Sequence, residues 1–332
     1  MRLIKQYHEI INEPDPYKLI ELCGRVCYKS EDKITDTSCF KFIKMLKSVG
    51  HLSVLEHVYI AFTCPTKTIE EIRNLQINPE LDMNLLEQPT INDKYITCST
   101  FQNNIASGNL RAWMEFLSLP NIPYNSGIKA IEYELSNIFP HLFNSTFWDG
   151  KKVLPIHPTN MSLMERAIHS TKTIRFITNR GVTHELVRHR PCAFSQESTR
   201  YIKYEGEINF ILPAWMDEQY LGTYTSLFRS GNSNDPSRIF IESCILTELN
   251  YKSLLILKWQ AQEAREVLSN AVKTEIIITG TLREWYHIFK LRCSKKAHPQ
   301  MRALMLPVFE ELLSLEPEIF NGLTKLIGTS NE

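Results

Sequence analysis

The chain has 332 residues, 43% hydrophobic and 22% charged, an ordinary globular composition with enough length for a sizeable core. Lys plus Arg and Asp plus Glu number 37 each, so no global field draws the chain to nucleic acid or a membrane, and any anion site must be made locally. The eight cysteines are scattered without a C-x-x-C pair, the charged N-terminus lacks a signal-peptide pattern, and no apolar run approaches a membrane span; together these predict a cytoplasmic protein without disulfides or a thiolate zinc site.

In chain order, Tyr17 to Tyr28 is apolar at helical spacing, and Val58 to Thr63 alternates as a strand. Between them G-H-L-S-V-L-E-H, residues 50–57, crowds His51, Ser53, Glu56 and His57 ahead of that strand. Residues 65 to about 165 are less regular. They comprise a polar stretch over 66–93, a strand over 95–101, a helix opening within 107–113 and an amphipathic segment over 127–143. Residues 172–178 read as a strand and 179–181 as its turn. The pattern then predicts a helix over 182–190, with Thr183 as a candidate cap and Pro191 ending it. Asp235-Pro236 opens a helix that no Gly or Pro interrupts, predicted to run to Leu268 at a length of roughly 50 Å. Residues 274–279 are strand-like, Thr281 caps a helix to Arg292, and a last amphipathic helix covers 299–315. Strands and helices mix without strict alternation, which predicts an α+β fold, and neither a dinucleotide fingerprint nor a P-loop occurs.

The segment T-H-E-L-V-R-H-R-P-C-A-F-S-Q-E-S-T-R-Y, residues 183–201, suggests either a metal or an anion site. A zinc-protease helix needs histidines four apart; His184 and His189 are five apart, which on a helix turns the second ring about 140° from the first. The metal reading fails on that geometry. The same wheel pairs His184 with Arg188, and lets Glu185 reach Arg188. From 175 to 200 there are five arginines against two acids, a local positive field suited to phosphate; a solvated basic surface accounts for them equally well. Arg265 has no acid three or four residues away, so it reads either as a free ligand-binding cation or as a solvated one. Arg283 and His287 lie four apart on the later helix, and Arg292 sits in its last turn, where the helix dipole favours a cation.

Arg188-His189-Arg190, followed after seven residues by Ser198 in S-T-R-Y, resembles the R-H-R-x7-S-x-R signature of flavin-dependent thymidylate synthases. The 50–57 segment, A-R-E-V-L and L-R-E-W-Y-H-I-F-K-L-R extend the resemblance over roughly 15–64, 170–215 and 255–305. It implies one domain over 1–332, elaborated at about 65–168, with a central, mostly antiparallel sheet flanked by long helices. It further implies FAD-dependent reductive methylation of dUMP to dTMP, with 5,10-methylenetetrahydrofolate as carbon donor and NADPH as reductant, in a homotetramer with shared sites that binds neither nucleic acid nor membrane.

Carried over by position, His51, Ser53, Arg188, His189, Arg190, Gln196, Arg283 and His287 would contact the flavin. Glu185, Arg188, Gln196, Glu197, Ser198, Thr199, Arg200, Arg265 and Arg292 would contact the nucleotide, with Arg292 assisting ionisation of the uracil. Glu185 stands where many members carry Gln, and its charge calls for a partner, expected in Arg188. Ser53-Val54 replaces a usual Thr-Pro or Ser-Pro. The competing reading from the residues is a non-catalytic nucleotide or nucleic-acid binder that uses the same arginines; zero net charge and the absence of interleaved aromatics weigh against it.

Overall fold

A computed structural model describes all residues except 77–95, 120–121, 123–126, 146–149, 151–152, 228–233 and 329–332. The polar stretch beyond Gln76 and the start of the strand expected at Tyr95 therefore lie outside the described residues.

The central sheet comprises β2 (Tyr7–Ile11), β7 (Thr171–Asn179), β8 (Ala193–Gln196) and β11 (Lys273–Thr281), in the order β2-β7-β11-β8 and antiparallel throughout. A second sheet sets β1 (Arg2–Ile4) between β9 (Asn209–Ile211) and β10 (Gly222–Thr223), with β1 and β9 parallel. A third has the order β4-β5-β3-β6, from β3 (Tyr59–Thr63), β4 (Thr97–Thr100), β5 (Asn104–Asn109) and β6 (Leu154–Pro155). The expected α+β class and antiparallel central sheet are thus observed. The short strands β1 and β2 carry too few residues for a clear period in the sequence and are made by pairing.

Successive side chains on β11 leave on opposite faces of the sheet. Ile276 and Ile278 enter a core with α10 (Leu282–Arg292) and α11 (Pro299–Leu315), which follows the expected bounds. Ile277 enters a different core, with α1 (Pro16–Tyr28) and α2 (Ser38–Ser48). Asp15 starts α1 by accepting from the N–H groups of Tyr17 and Lys18 ahead of Pro16. The remaining larger helices are α3 (Thr66–Gln76), α4 (Leu110–Leu117), α5 (Gly127–Ile138), α6 (Leu163–His169), α7 (Arg180–Leu186) and α8 (Pro236–Ile256).

Two expectations are corrected. The helix begun at Pro236 ends at Ile256 rather than near Leu268. Lys258 adopts φ 73, Trp259 N–H donates to the Leu254 carbonyl and Lys258 N–H to that of Leu255, closing the helix without a glycine. A reciprocal cap between Gln260 and Glu263 then starts a four-residue helix, α9 (Ala261–Ala264), and a tight turn over Arg265–Val267. The helix expected at 182–190 runs instead from Arg180 to Leu186, and its cap is Asn179, whose Oδ1 accepts from Val182 N–H at 2.8 Å, rather than Thr183. The helix expected to open within 107–113 does so at Leu110, with Asn109 as its cap and residues 107–109 in β5.

Where α1 crosses α2, Gly24 faces the Phe42 ring, and a Cβ at Gly24 would stand 2.5 Å from it. Gly24→Ala is therefore expected to overpack this contact and cost about 1–3 kcal/mol, read from denaturant unfolding; an unchanged midpoint would show that the ring yields freely.

Candidate active site

α10 starts directly after β11, with the Thr281 hydroxyl accepting from Glu284 N–H. It buries Leu282, Trp285, Ile288 and Phe289, which leaves Arg283 and His287, four residues apart, on an exposed face. The loop after α7 runs beside this face. Arg190 and Arg283 line one cleft of about 390 Å³ together with Glu56, Tyr59, Asn109 and Glu284. The His189 ring stands 5.9 Å from that of His287, edge-on.

At the far end of α10, Arg292 is held at three points. Its Nε donates to His189 Nε2 at 3.0 Å, one terminal nitrogen donates to the Glu185 carboxylate at 2.6 Å, and the other to the Glu185 carbonyl at 3.0 Å. The first bond requires a neutral imidazole with its proton on Nδ1. Burial, with the charges of Arg292 and His287, lowers the His189 pKa to about 4, so the ring is an acceptor at neutral pH. Glu185 thus finds its partner in Arg292 and not in Arg188 as the sequence spacing suggested, because α7 stops at Leu186 and the chain turns Arg188 out to solvent. The same early stop voids the helical pairing of His184 with Arg188. It also takes His189 off the helix that carries His184.

The other group lies at the opposite end of β8. Gln196 Nε2 donates to the hydroxyls of Thr183 and Thr274, at 2.9 and 3.2 Å. Glu197, 2% exposed, accepts from Tyr204 Oη at 2.7 Å and Lys273 Nζ at 2.8 Å, with Lys29 at 3.8 Å. Both its oxygens are engaged inside the protein. Ser198 N–H donates to the Cys27 carbonyl at 3.2 Å, Arg200 N–H to Ser198 Oγ at 3.3 Å, and Thr199 is buried. Arg200 lies over the Tyr201 ring; that ring packs against Tyr28, whose hydroxyl bonds His51 Nδ1 at 2.8 Å. His51 is thereby brought beside the Ser198–Arg200 turn, and Ser53 is exposed in the next tight turn. Arg265 lies exposed and apart from both groups, its Nε 3.5 Å from Glu266. The acid it meets is thus its immediate neighbour and not one three or four residues away, because Arg265 sits in the turn after α9 and not within a long helix.

Two buried clusters around these groups were not legible as pairings. Glu275, 1% exposed, is paired with Lys29 and Arg175. Burial alone would push its carboxyl up, but the Lys29 hydrogen bond and the charges of Lys29, Arg175 and Lys273 hold it below the usual range. His57, also 1% exposed, bonds Ser195 Oγ at 2.9 Å and Thr279 Oγ1 at 2.8 Å, and burial lowers its pKa to about 3. His57 was visible as part of the crowded 50–57 segment; Lys29 and Glu275 are 246 positions apart and carried no sequence signal.

A family model described as thymidylate synthase complementing protein matches residues 9–73 and 162–318. The chain belongs to this family. The flavin-dependent thymidylate synthase of Corynebacterium efficiens is 37% identical over 165 residues, which cover 48% of this chain and 63% of that one. That of Mycobacteroides abscessus is 33% identical over 168 residues, 48% and 64% of the two chains. The chain thus spans somewhat less than two thirds of the length of these curated relatives. A crystal structure of the UMP/dUMP methylase PolB from Streptomyces cacaoi bound with 5-Br dUMP aligns over 98% of both chains at 14% identity and a TM-score of 0.41. A likeness that loose says nothing about the site.

The family-like signature straddles β8: His189 and Arg190 lie beside α10 at one end, and S-T-R meets α1 and His51 at the other. Two expected outcomes follow. Glu197→Ala leaves Lys273 without its closest buried carboxylate and should cost about 3–5 kcal/mol in denaturant unfolding; a loss under about 1 kcal/mol would place the pair in effect at the surface. His189 is depressed in the fold, so its contribution is complete above pH 6.5 and is lost as pH falls toward about 4. Thermal midpoints should drop across that window, and more shallowly in His189→Gln, which still accepts from Arg292 but does not titrate.

Proposed function

We propose that the chain is a flavin-dependent thymidylate synthase, converting dUMP to dTMP with 5,10-methylenetetrahydrofolate as carbon donor and NADPH as reductant. The observation that carries this reading is the row along α10, where Arg283, His287 and Arg292 meet Arg190, His189 and Glu185. Arg190 and Arg283 both line one cleft, beside Glu56 and Glu284, and guanidiniums match the oxygens of a diphosphate, which supports FAD there. FAD, when bound, would supply the hydride for the methylation.

The chain's own residues would bind and polarise the nucleotide. Arg292 spends three of its five N–H donors on Glu185 and His189, which fixes its plane and leaves two for a uracil edge. A guanidinium so held stabilises negative charge as it develops on the ring, without reorganisation. Ser198 and Arg200, on a turn anchored through Cys27 and Glu197, would take the nucleotide phosphate, with exposed Arg188 as a further cation. Glu197 and Gln196, whose side chains are bonded within the protein, would shape that turn. His51 and Ser53 would approach the flavin from the α1 side.

Arg265 would complete a site across subunits. In support, the end of α8 just before it exposes Leu246, Leu249, Ile256, Leu257 and Trp259, a patch suited to a homotetramer contact. The enzyme would act in the cytoplasm; no helix among the described residues is long and apolar enough to cross a membrane. The stretch at about 65–168 would be an elaboration of a single domain.

Arg292→Ala is expected to lower the rate of dTMP formation by about 10²–10³-fold, while the purified variant keeps the flavin absorbance of the parent. Undiminished dTMP formation in Arg292→Ala, or a parent that takes up no FAD, would overturn the reading.

A further inference from the structure

The family match skips residues 74–161, yet part of that stretch stands at the cleft holding Arg190 and Arg283. β5 pairs antiparallel with β3, Asn109 opposite Tyr59, and both residues line the cleft. The ladder hands over directly to α4: Leu110 N–H donates to the Val58 carbonyl at 2.8 Å, and Trp113 Nε1 to that of Ile60 at 3.3 Å. Thr97, Asn109 and Ala112 therefore form a wall that the shared part of the family does not provide.

The same segment also bears on the charge of the cleft. The charged lining residues are Arg190 and Arg283 against Glu56 and Glu284, an even balance that would not favour a dianion. Arg111, on the first turn of α4, lies just behind that lining. Its terminal nitrogen donates to the Glu56 carboxylate at 2.8 Å, and its Nε donates to Glu115 at 2.7 Å. Neither Arg111 nor Glu115 lines the cleft, but Arg111 bonds the lining carboxylate of Glu56 directly and so offsets its charge from behind.

We propose that Arg111 of the unshared segment is a positioning residue for cofactor binding, neutralising Glu56 so that the Arg190–Arg283 cleft accepts a diphosphate ester. This rests on the flavin reading above for the identity of the ligand. The pair is partly open to solvent, with side-chain exposures of 38% for Arg111 and 28% for Glu56, so its worth to folding is small. Its effect on a nearby dianion is larger, because two ligand charges feel the one that is removed. At about 8 Å in a water-like dielectric, loss of the cation should weaken binding about five-fold.

The test is titration of FAD, followed by flavin fluorescence, and of ADP, followed by calorimetry, at low salt. The parent would be compared with Arg111→Ala, Glu56→Gln, the double variant, Arg111→Lys and Glu115→Gln, each checked for an unchanged thermal midpoint. The proposal expects about five-fold weaker binding in Arg111→Ala, recovery in the double variant and in Arg111→Lys, and no loss of affinity in Glu115→Gln. High salt should erase the difference. Unchanged affinity in Arg111→Ala, or a double variant as weak as the single one, would overturn it. A parent that binds ADP with this pattern but not FAD would sink the flavin reading and leave the cleft proposal standing; a parent that binds neither would remove both.

Discussion

The antiparallel ladder between β7 and β11 runs from Lys273 opposite Asn179 to Thr281 opposite Thr171, and its two ends set where both helices of the site begin. α7 leaves β7 at Asn179 and α10 leaves β11 at Thr281, from opposite ends of the ladder, so the two run toward one another across one face. Their meeting brings Glu185 and His189 to Arg292. The alternation that places Ile276 and Ile278 under these helices also points Glu275 to the other face, where a buried carboxylate is tolerable only when cations enclose it. Lys29 and Arg175 do so. The ion cluster is thus a consequence of the ladder's register, and it ties α1 to the sheet beside the turn that carries Ser198 and Arg200.

β8 extends this sheet by only four residues, but the signature depends on it. Phe194 and Gln196 face the α7 and α10 side, whereas Ser195 and Glu197 face α1. One short strand therefore feeds two polar networks on opposite faces. Each face of the sheet also carries a neutral histidine as a fixed bonding partner. His57 links Ser195 to Thr279, and His189 accepts from Arg292; burial holds each ring uncharged well below neutral pH. A protonated ring at either place would lose an acceptor and gain a buried charge. These histidines orient their neighbours, a role distinct from the metal ligation that His184 and His189 first suggest.

The stretch that the family does not share is integrated through the third sheet. His169 of α6 bonds Ser107 on β5 and Ser99 on β4, each at 2.7 Å, and β5 in turn pairs with β3. Those bonds join the added strands to helices and strands on both sides of the gap in the family match. An added segment held this firmly can present residues to the cleft with fixed geometry, which a loosely attached one cannot.

Periodicity and caps sufficed for the elements whose signals are local: α1, β7, β11, α10 and α11 all follow from spacing, with Thr281 marking the start of α10. The R-H-R-x7-S-x-R spacing likewise marked the residues that gather on α10 and on the turn after β8. Other features lie beyond local signals. The break after Ile256 is made by Lys258 in a left-handed conformation, with no glycine to announce it. The stop of α7 at Leu186 gave Glu185 to Arg292 across 107 positions in place of the nearby Arg188. Lys29 with Glu275, His57 with Ser195, and Arg111 with Glu56 are similarly set by sheet register and helix docking. The sequence by itself determined which residue types are offered to the candidate site and where the local elements begin, because propensity and spacing act over a few positions. Tertiary structure alone decided which charges meet, because ion pairs and hydrogen bonds depend on distance in space, and that distance is fixed only once the ladders and cores have formed.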